Sequence, residues 1–196
     1  MKALLLAMLF APLAWAEGET RFYEVEVLIF QNARAPATID ERIERGVRPE
    51  GRPTQQLILD ADFEGDYLTL APYAPEERLL NEQSLILQRQ GKVVLFHERW
   101  MHGLKSAGQD TAIAIQGGQD LGYGRGYELE GSIEFSIARF IEAKVDLVTR
   151  HLVDGSPEGP FTAHLKETRR ARSGVVHYLD HPMIGVLITY TRTEDS

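Results

Sequence analysis

Two neighbouring segments alternate between apolar and polar residues, and this pattern constrains the possible folds more than any other feature of the chain. In residues 128–136, ELEGSIEFS, every second residue is Leu, Gly, Ile or Phe, with Glu or Ser between them. Residues 139–149 alternate in a similar way, with Glu, Lys and Asp on the polar side. A period of two is that of a strand with one apolar face. Two such strands in succession predict an antiparallel sheet with one face open to water.

Residues 75–90 have the clearest helical pattern in the chain. Pro75 suits the first turn of a helix, two glutamates follow it at the positive end, and Gly91 suits the C-terminal cap. Leucine and isoleucine recur at a spacing near 3.6 residues, which gives the segment one apolar face. We therefore predict one main helix over this range, lying on the apolar face of the sheet.

The remaining apolar runs are short and are predicted to be strands. They occupy residues 22–30, 57–59, 67–70, 93–100, 111–116, 161–168 and 175–178. We expect the last two runs to pair as a hairpin that turns at residues 172–174. The predicted fold class is α+β, in which an antiparallel sheet of about six or seven strands and one main helix form a single domain.

The ends of the chain and one irregular segment set the predicted domain boundaries. Residues 1–16 have the pattern of a secretory signal peptide: a lysine, an apolar stretch and a final Ala-Trp-Ala cleavage site. We expect cleavage before Glu17 and a single domain over residues 17–196. The segment near residues 32–56 is rich in proline, glycine and charge, and we predict that it is a mobile loop.

The absence of cysteine bears on the predicted compartment. With no cysteine in the chain, no residue can take a lipid anchor after signal cleavage, and disulfides and thiolate zinc sites are excluded. The apolar part of the leader is shorter than the roughly 20 residues of a bilayer span. The sequence therefore predicts an exported protein that is not inserted in a membrane.

The charge balance limits the partners. Lys and Arg total 21 against 29 Asp and Glu, for a formal net charge of −8. Domains that bind nucleic acid usually carry a strongly basic surface, so a nucleic-acid partner is not expected. An anionic ligand would need a local basic patch to hold it.

Residues 169–191 concentrate side chains that could provide such a patch. Three arginines precede a Ser-Gly turn signal, and two histidines, a tyrosine and an aspartate follow it. Guanidinium groups pair bidentately with carboxylates, and aromatic rings can lie against sugar rings. The candidate ligand-binding residues are Arg169, Arg170, Arg172, His177, Tyr178, Asp180 and His181. The alternative is that the arginines only protect a hairpin edge from aggregation.

Three of these residues also have the chemistry of metal ligands, namely His177, Asp180 and His181. On a strand, however, the two histidines share a face and the aspartate points away, and Pro182 favours a turn. We therefore predict a local hydrogen-bond network and no metal site. The side chain of Asp180 is expected to bond to local backbone or to a histidine, with His177 or Tyr178 partly buried.

Catalytic patterns are weak throughout the chain. Ser173 lacks the Gly-x-Ser-x-Gly context of a hydrolase nucleophile, and no Ser-x-x-Lys motif is present. Glu128, Glu130 and Glu134 share a strand face and could supply two carboxylates for glycan cleavage, but alternating glutamates are typical of a solvated face. We predict no catalytic residue and no cofactor.

The segment 169–187 resembles the C-terminal signature of the CsiV family, whose members read approximately Arg-Arg-x-Arg-x-Gly-x-x-His-Tyr-Leu-Asp-His-Pro-x-x-Gly-Val-Leu. Ala171 stands where a bulkier apolar residue is common, and Val175 where an acid is expected. Weaker agreement covers Tyr-Glu-Val-Glu-Val at 23–27, Phe-His-Glu-Arg-Trp at 96–100 and Leu-Glu-Gly at 129–131. The resemblance thus extends over most of the chain beyond the leader.

The resemblance implies a non-enzymatic periplasmic protein that binds peptidoglycan and supports cell-wall synthesis. In the family, that role runs through a lipoprotein activator of a bifunctional penicillin-binding synthase. The resemblance implies no catalytic residues for this chain. The second reading is a protein–protein adaptor with no direct glycan binding, and the third is a cell-wall hydrolase that would use the glutamate face.

Overall fold

A computed structural model of the chain describes residues 20–32, 48–51, 53–57, 68–106, 108, 112–122, 126–151 and 161–193. The predicted signal peptide and most of the predicted loop near 32–56 lie outside these residues. The strands within them are β1 Arg21–Asn32, β2 Gln55–Leu57, β3 Leu68–Leu70, β4 Lys92–Leu104, β5 Ala112–Asp120, β6 Tyr127–Ile137, β7 Ile141–His151, β8 Phe161–Ala171, β9 His177–Asp180 and β10 Ile184–Arg192. A 3-10 helix spans Pro75–Glu77, and the α-helix α1 spans Asn81–Arg89. Neither is long and apolar enough to cross a membrane.

The strands form two sheets that pack face to face. The four-stranded sheet has the order β4-β1-β10-β9, and the six-stranded sheet has the order β3-β2-β5-β6-β7-β8. All pairs are antiparallel except those of β2 with β3 and with β5. The predicted antiparallel pairing of β6 with β7 is confirmed. The prediction of an α+β domain with one sheet and a helix on its apolar face was wrong, because the apolar faces of the two sheets cover each other.

The main core lies between the two sheets, where the alternating strands place their apolar side chains. Val25 and Val27 on β1 meet Ile133 and Phe135 on β6 in one buried cluster. The Trp100 ring on β4 packs against the Phe135 ring, with centroids 6.1 Å apart. Each buried large side chain contributes roughly 1.5–3 kcal/mol by leaving water. This cluster therefore holds the two sheets together.

The predicted helix over 75–90 is broken in the structure. Residues 75–77 form a 3-10 turn, α1 begins only at Asn81, and the backbone N–H groups of Leu79 and Leu80 donate to the carboxylate of Glu26 at 2.6 and 2.7 Å. Because these donors point at a strand carboxylate, the chain between the two helices is not helical. Leu80 packs with Leu28 and Phe30 on the outer face of the four-stranded sheet.

The predicted hairpin between residues 161–168 and 175–178 was also wrong. β8 pairs with β7, and β9 pairs with β10. The chain does turn near Gly174, whose φ of 74° favours glycine. Its N–H donates to the carbonyl of Tyr190 on β10, at 2.7 Å. The turn therefore carries the chain from the six-stranded sheet to the four-stranded sheet.

Candidate ligand-binding surface

The imidazole rings of His177 and His181 both form hydrogen bonds with the local backbone. His177 Nε2 lies 3.0 Å from both the N–H and the carbonyl oxygen of Arg172, so it bonds one or the other according to its tautomer. His181 Nδ1 accepts from the N–H of Met183 at 3.2 Å, where the backbone bonds of His181 with Ile184 close the β9–β10 turn. His177 is half-buried, as predicted. In the part of the chain that the structure describes, no group of three or more metal-ligating side chains is present.

Tyr178 and Asp180 lie together on the outer face of the four-stranded sheet. The Tyr178 hydroxyl donates to Asp180 Oδ1 at 2.6 Å, and its ring stacks on Phe30 with centroids 6.4 Å apart. Partial burial, reinforced by the Asp180 carboxylate, raises the pKa of Tyr178 to about 12. The expected bond of Asp180 to backbone or histidine was wrong, because residues two apart on a strand share a face.

The three arginines of the segment do not all lie on one face of the sheet. Arg169 and Arg170 are neighbours on β8, so their side chains leave opposite faces of the strand. Arg169 Nη1 lies 3.9 Å from Glu167 Oε1. Arg170 stands opposite Glu142 in the register with β7, and Arg172 follows the strand end. The candidate residues therefore separate into an arginine group and a Tyr178–Asp180 pair.

Further cations join the arginines because several strand ends meet at one end of the sandwich. Arg21 at the start of β1 stands opposite Leu104 at the end of β4. Arg192 at the end of β10 stands opposite Tyr23. The four-stranded sheet thus ends with cations on two neighbouring strands.

The six-stranded sheet ends at the same place. The N–H of Ile137 at the end of β6 donates to the carbonyl of Lys105, at 2.9 Å. The turn that follows carries Arg139, and β8 ends nearby, where Ala171 stands opposite Ile141. We call this surface the basic end. Its exposed cations are Arg21, Lys105, Arg139, Arg169, Arg170, Arg172 and Arg192.

The basic end differs in charge from the protein as a whole. Seven exposed cations stand there, whereas the whole chain carries a net charge of −8. A cleft of about 400 Å³ opens among Arg139, Phe140, Glu142 and Arg170. Phe140 is 40% exposed, and the Arg139 guanidinium lies 5.5 Å from the centre of its ring. The cleft therefore combines cations with an aromatic surface, which suits an anionic ligand that also has an apolar part.

Another cavity, of about 570 Å³, lies elsewhere, between β4 and β5. Its charged side chains, Arg78 and Glu98, form an ion pair at 2.6 Å, and burial raises the pKa of Glu98. Because this pair is internally compensated, the cavity offers no unpaired cation to an anionic ligand. The basic end is the better candidate.

The three glutamates considered for glycan cleavage all have partners. Glu128 accepts from the Gln31 amide at 2.8 Å. Glu130 pairs with Arg150 at 2.7 Å, and Glu134 pairs with Lys144 at 3.1 Å. These bonds give each carboxylate a structural role on the sheet face.

The sequence interpretation missed a polar network on the other face of β1. Buried Glu26 bonds to His97 Nε2 at 2.8 Å, and Glu24 accepts from Arg99 at 2.5 Å and from the Tyr73 hydroxyl at 3.0 Å. Burial alone would raise the pKa of Glu26, but the bonds from His97 and from the backbone lower it. Alternating acids on β1 and bases on β4 were the available signal, since paired strands bring such residues together.

Comparison with known protein families gives a match over nearly the whole chain. A family model described as "Peptidoglycan-binding protein, CsiV" matches residues 1–193. Neither the curated proteins nor the solved structures include a significant match to the chain. The matched range contains both the pairing of β1 with β4 and the whole basic end.

Proposed function

Since the chain belongs to the CsiV family of peptidoglycan-binding proteins, we propose that its basic end binds peptidoglycan and that it does so without catalysis. The observation that carries the proposal is the gathering of seven exposed cations at one end of an acidic protein. Peptidoglycan stem peptides carry free carboxylates, with which guanidinium groups form short, charge-assisted hydrogen bonds. Phe140 adds an aromatic surface beside Arg139 for an apolar part of the ligand.

The setting of this activity is the periplasm. Residues 1–16 have the pattern of a cleaved signal peptide, and peptidoglycan belongs to the cell envelope. We propose that the exported protein supports cell-wall synthesis by aiding a lipoprotein activator of a bifunctional penicillin-binding synthase. The family resemblance supports this finer role.

Co-sedimentation with purified sacculi tests the proposal. Arg170→Ala with Arg172→Ala should reduce the bound fraction severalfold, because it removes two cations of the basic end. The matched control is Arg48→Ala with Arg89→Ala, which removes two exposed cations elsewhere. Melting temperatures should stay close to that of the parent in both variants, since exposed charges contribute little to folding. Equal binding by the two double variants would rule out the basic end as the site.

A second candidate function, that of a protein–protein adaptor, is favoured by apolar side chains around α1. Leu79, Leu85 and Ile86 are 52%, 47% and 44% exposed. Contiguous apolar patches at a surface often mark protein contacts, and Leu85 and Ile86 are adjacent on α1. If sacculus binding is weak and Leu85→Ser with Ile86→Ser abolishes binding to the purified lipoprotein activator, the adaptor function takes precedence.

A further inference from the structure

Oppositely charged side chains are paired along the outer face of the six-stranded sheet. Lys144 bonds to Glu134 at 3.1 Å. Further along the same face, His164 lies 2.7 Å from Asp146, and Lys166 reaches Glu50 at 2.6 Å. Oppositely charged residues on neighbouring strands normally form such ion pairs.

This pattern stops at the basic end. Glu142 and Arg170 stand opposite each other in the register of β7 with β8, yet they form no ion pair within the described structure. Neither side chain makes a hydrogen bond or ion pair with any other described residue. Arg139, on the same cleft, contacts the Phe140 ring and no described carboxylate. The cleft therefore holds two cations and one carboxylate that do not neutralise one another by contact.

Unpaired groups of both signs fit a ligand that itself carries both charges. We propose that this cleft recognises the free amino-carboxylate end of a stem peptide whose diamino acid has not been cross-linked. The inference rests on the proposed function and adds the chemical form of the ligand. The ligand carboxylate would pair with Arg139 and Arg170, and its ammonium group with Glu142. The Phe140 ring would lie against the methylene chain between the peptide and that end.

Cross-linking changes this ligand in a way that the cleft would detect. The bond that joins two stems turns the ammonium group into an amide, which removes its charge while the neighbouring carboxylate stays. Glu142 would then lose its partner, and its negative charge would face the remaining carboxylate. The cleft is therefore expected to prefer uncross-linked stems.

Chemical N-acetylation of sacculi tests this preference, because it neutralises free ammonium groups and leaves carboxylates intact. In pull-down titrations, acetylation should weaken binding of the parent protein by about fivefold, the upper range for an exposed charge pair. Glu142→Gln should bind mock-treated and acetylated sacculi alike. Glu82→Gln, at an exposed position on α1, is the matched control and should discriminate as the parent does.

The possible outcomes separate this inference from the proposed function. If the parent binds both preparations equally and Arg170→Ala weakens both, the basic end binds peptidoglycan but does not recognise the ammonium group. The inference is likewise overturned if Glu142→Gln still discriminates between the preparations. If the parent binds neither preparation, the proposed function fails together with the inference.

Discussion

His102 lies in the core between the Trp100 and Phe135 rings, where water cannot solvate its imidazole. It is 1% exposed, and its ring meets the Phe135 ring edge-on at 5.3 Å. The indole N–H of Trp100 approaches Nδ1 at 3.4 Å, while Nε2 has no hydrogen-bond partner in the described structure. Burial lowers the pKa of His102 to about 4, so the ring is neutral at physiological pH.

This depressed pKa makes the folded protein sensitive to mild acid. Between pH 6.5 and 4 the unfolded chain binds a proton at His102 that the folded chain does not, so stability falls as the pH falls. The loss should reach roughly 3 kcal/mol near pH 4. Urea unfolding at several pH values will measure it, and His102→Phe should show a flatter dependence over this window. Parallel curves for the two proteins would contradict a buried neutral histidine.

One carboxylate attaches the helical segment to the four-stranded sheet. Glu26 accepts from the N–H groups of Leu79 and Leu80 and bonds to His97. Its pKa is lowered in the folded state. The stability that this ionised group contributes is therefore present above its unfolded pKa near 4.5 and is lost as the pH falls through the folded value.

Replacement of Glu26 should be costly for this reason. Glu26→Ala leaves two backbone donors and a buried imidazole without their acceptor, and we expect a loss of roughly 2–4 kcal/mol in the free energy of unfolding. Glu82→Ala, at an exposed position on α1, should change it by less than about 0.5 kcal/mol. Urea titrations compare the two variants. Matching midpoints would show that the helical segment does not depend on this anchor.

The elements also show what could be predicted from the sequence. Alternation located β6 and β7 and their antiparallel pairing, because side-chain period is a local property. It could not tell that β8 and β9 belong to different sheets, since the choice between pairing partners depends on contacts distant in the chain. The prediction of a continuous helix over 75–90 was wrong for a similar reason, because the carboxylate that interrupts it belongs to Glu26 on β1.

The candidate site was predicted only in part. Arg169, Arg170 and Arg172 were noticed because they are close together in the sequence. Arg21 and Arg192 reach the basic end through strand pairing alone, which local pattern does not reveal.

Positive and negative charges are segregated on the surface of the protein. The protein is acidic overall, with a net charge of −8, while seven exposed cations gather at the basic end. Such a distribution orients the protein toward an anionic polymer, since the acidic remainder is repelled and the basic end is attracted. At about 0.15 M ionic strength, screening over roughly 8 Å confines both effects to short range.

Salt should therefore reveal which of the two effects controls binding. If local pairing at the basic end prevails, sacculus binding by the parent should fall as sodium chloride is raised from about 50 to about 300 mM, since screening weakens exposed ion pairs. The Arg170→Ala, Arg172→Ala protein should give a flatter curve. A pull-down series measures both. Binding that strengthens with salt would mean that repulsion between the acidic remainder and the polymer outweighs attraction at the basic end.

The strand order β4-β1-β10-β9 places the first strand of the described fold directly against the last long one. During synthesis, β1 leaves the ribosome early but cannot complete its sheet until residues near Arg192 have also emerged. Pairing across most of the chain belongs to the slow class of folding reactions, because a large loop must close before its contacts form. A nascent chain that still lacks β10 therefore cannot close the four-stranded sheet, and the free edge of β1 stays open until β10 has been made.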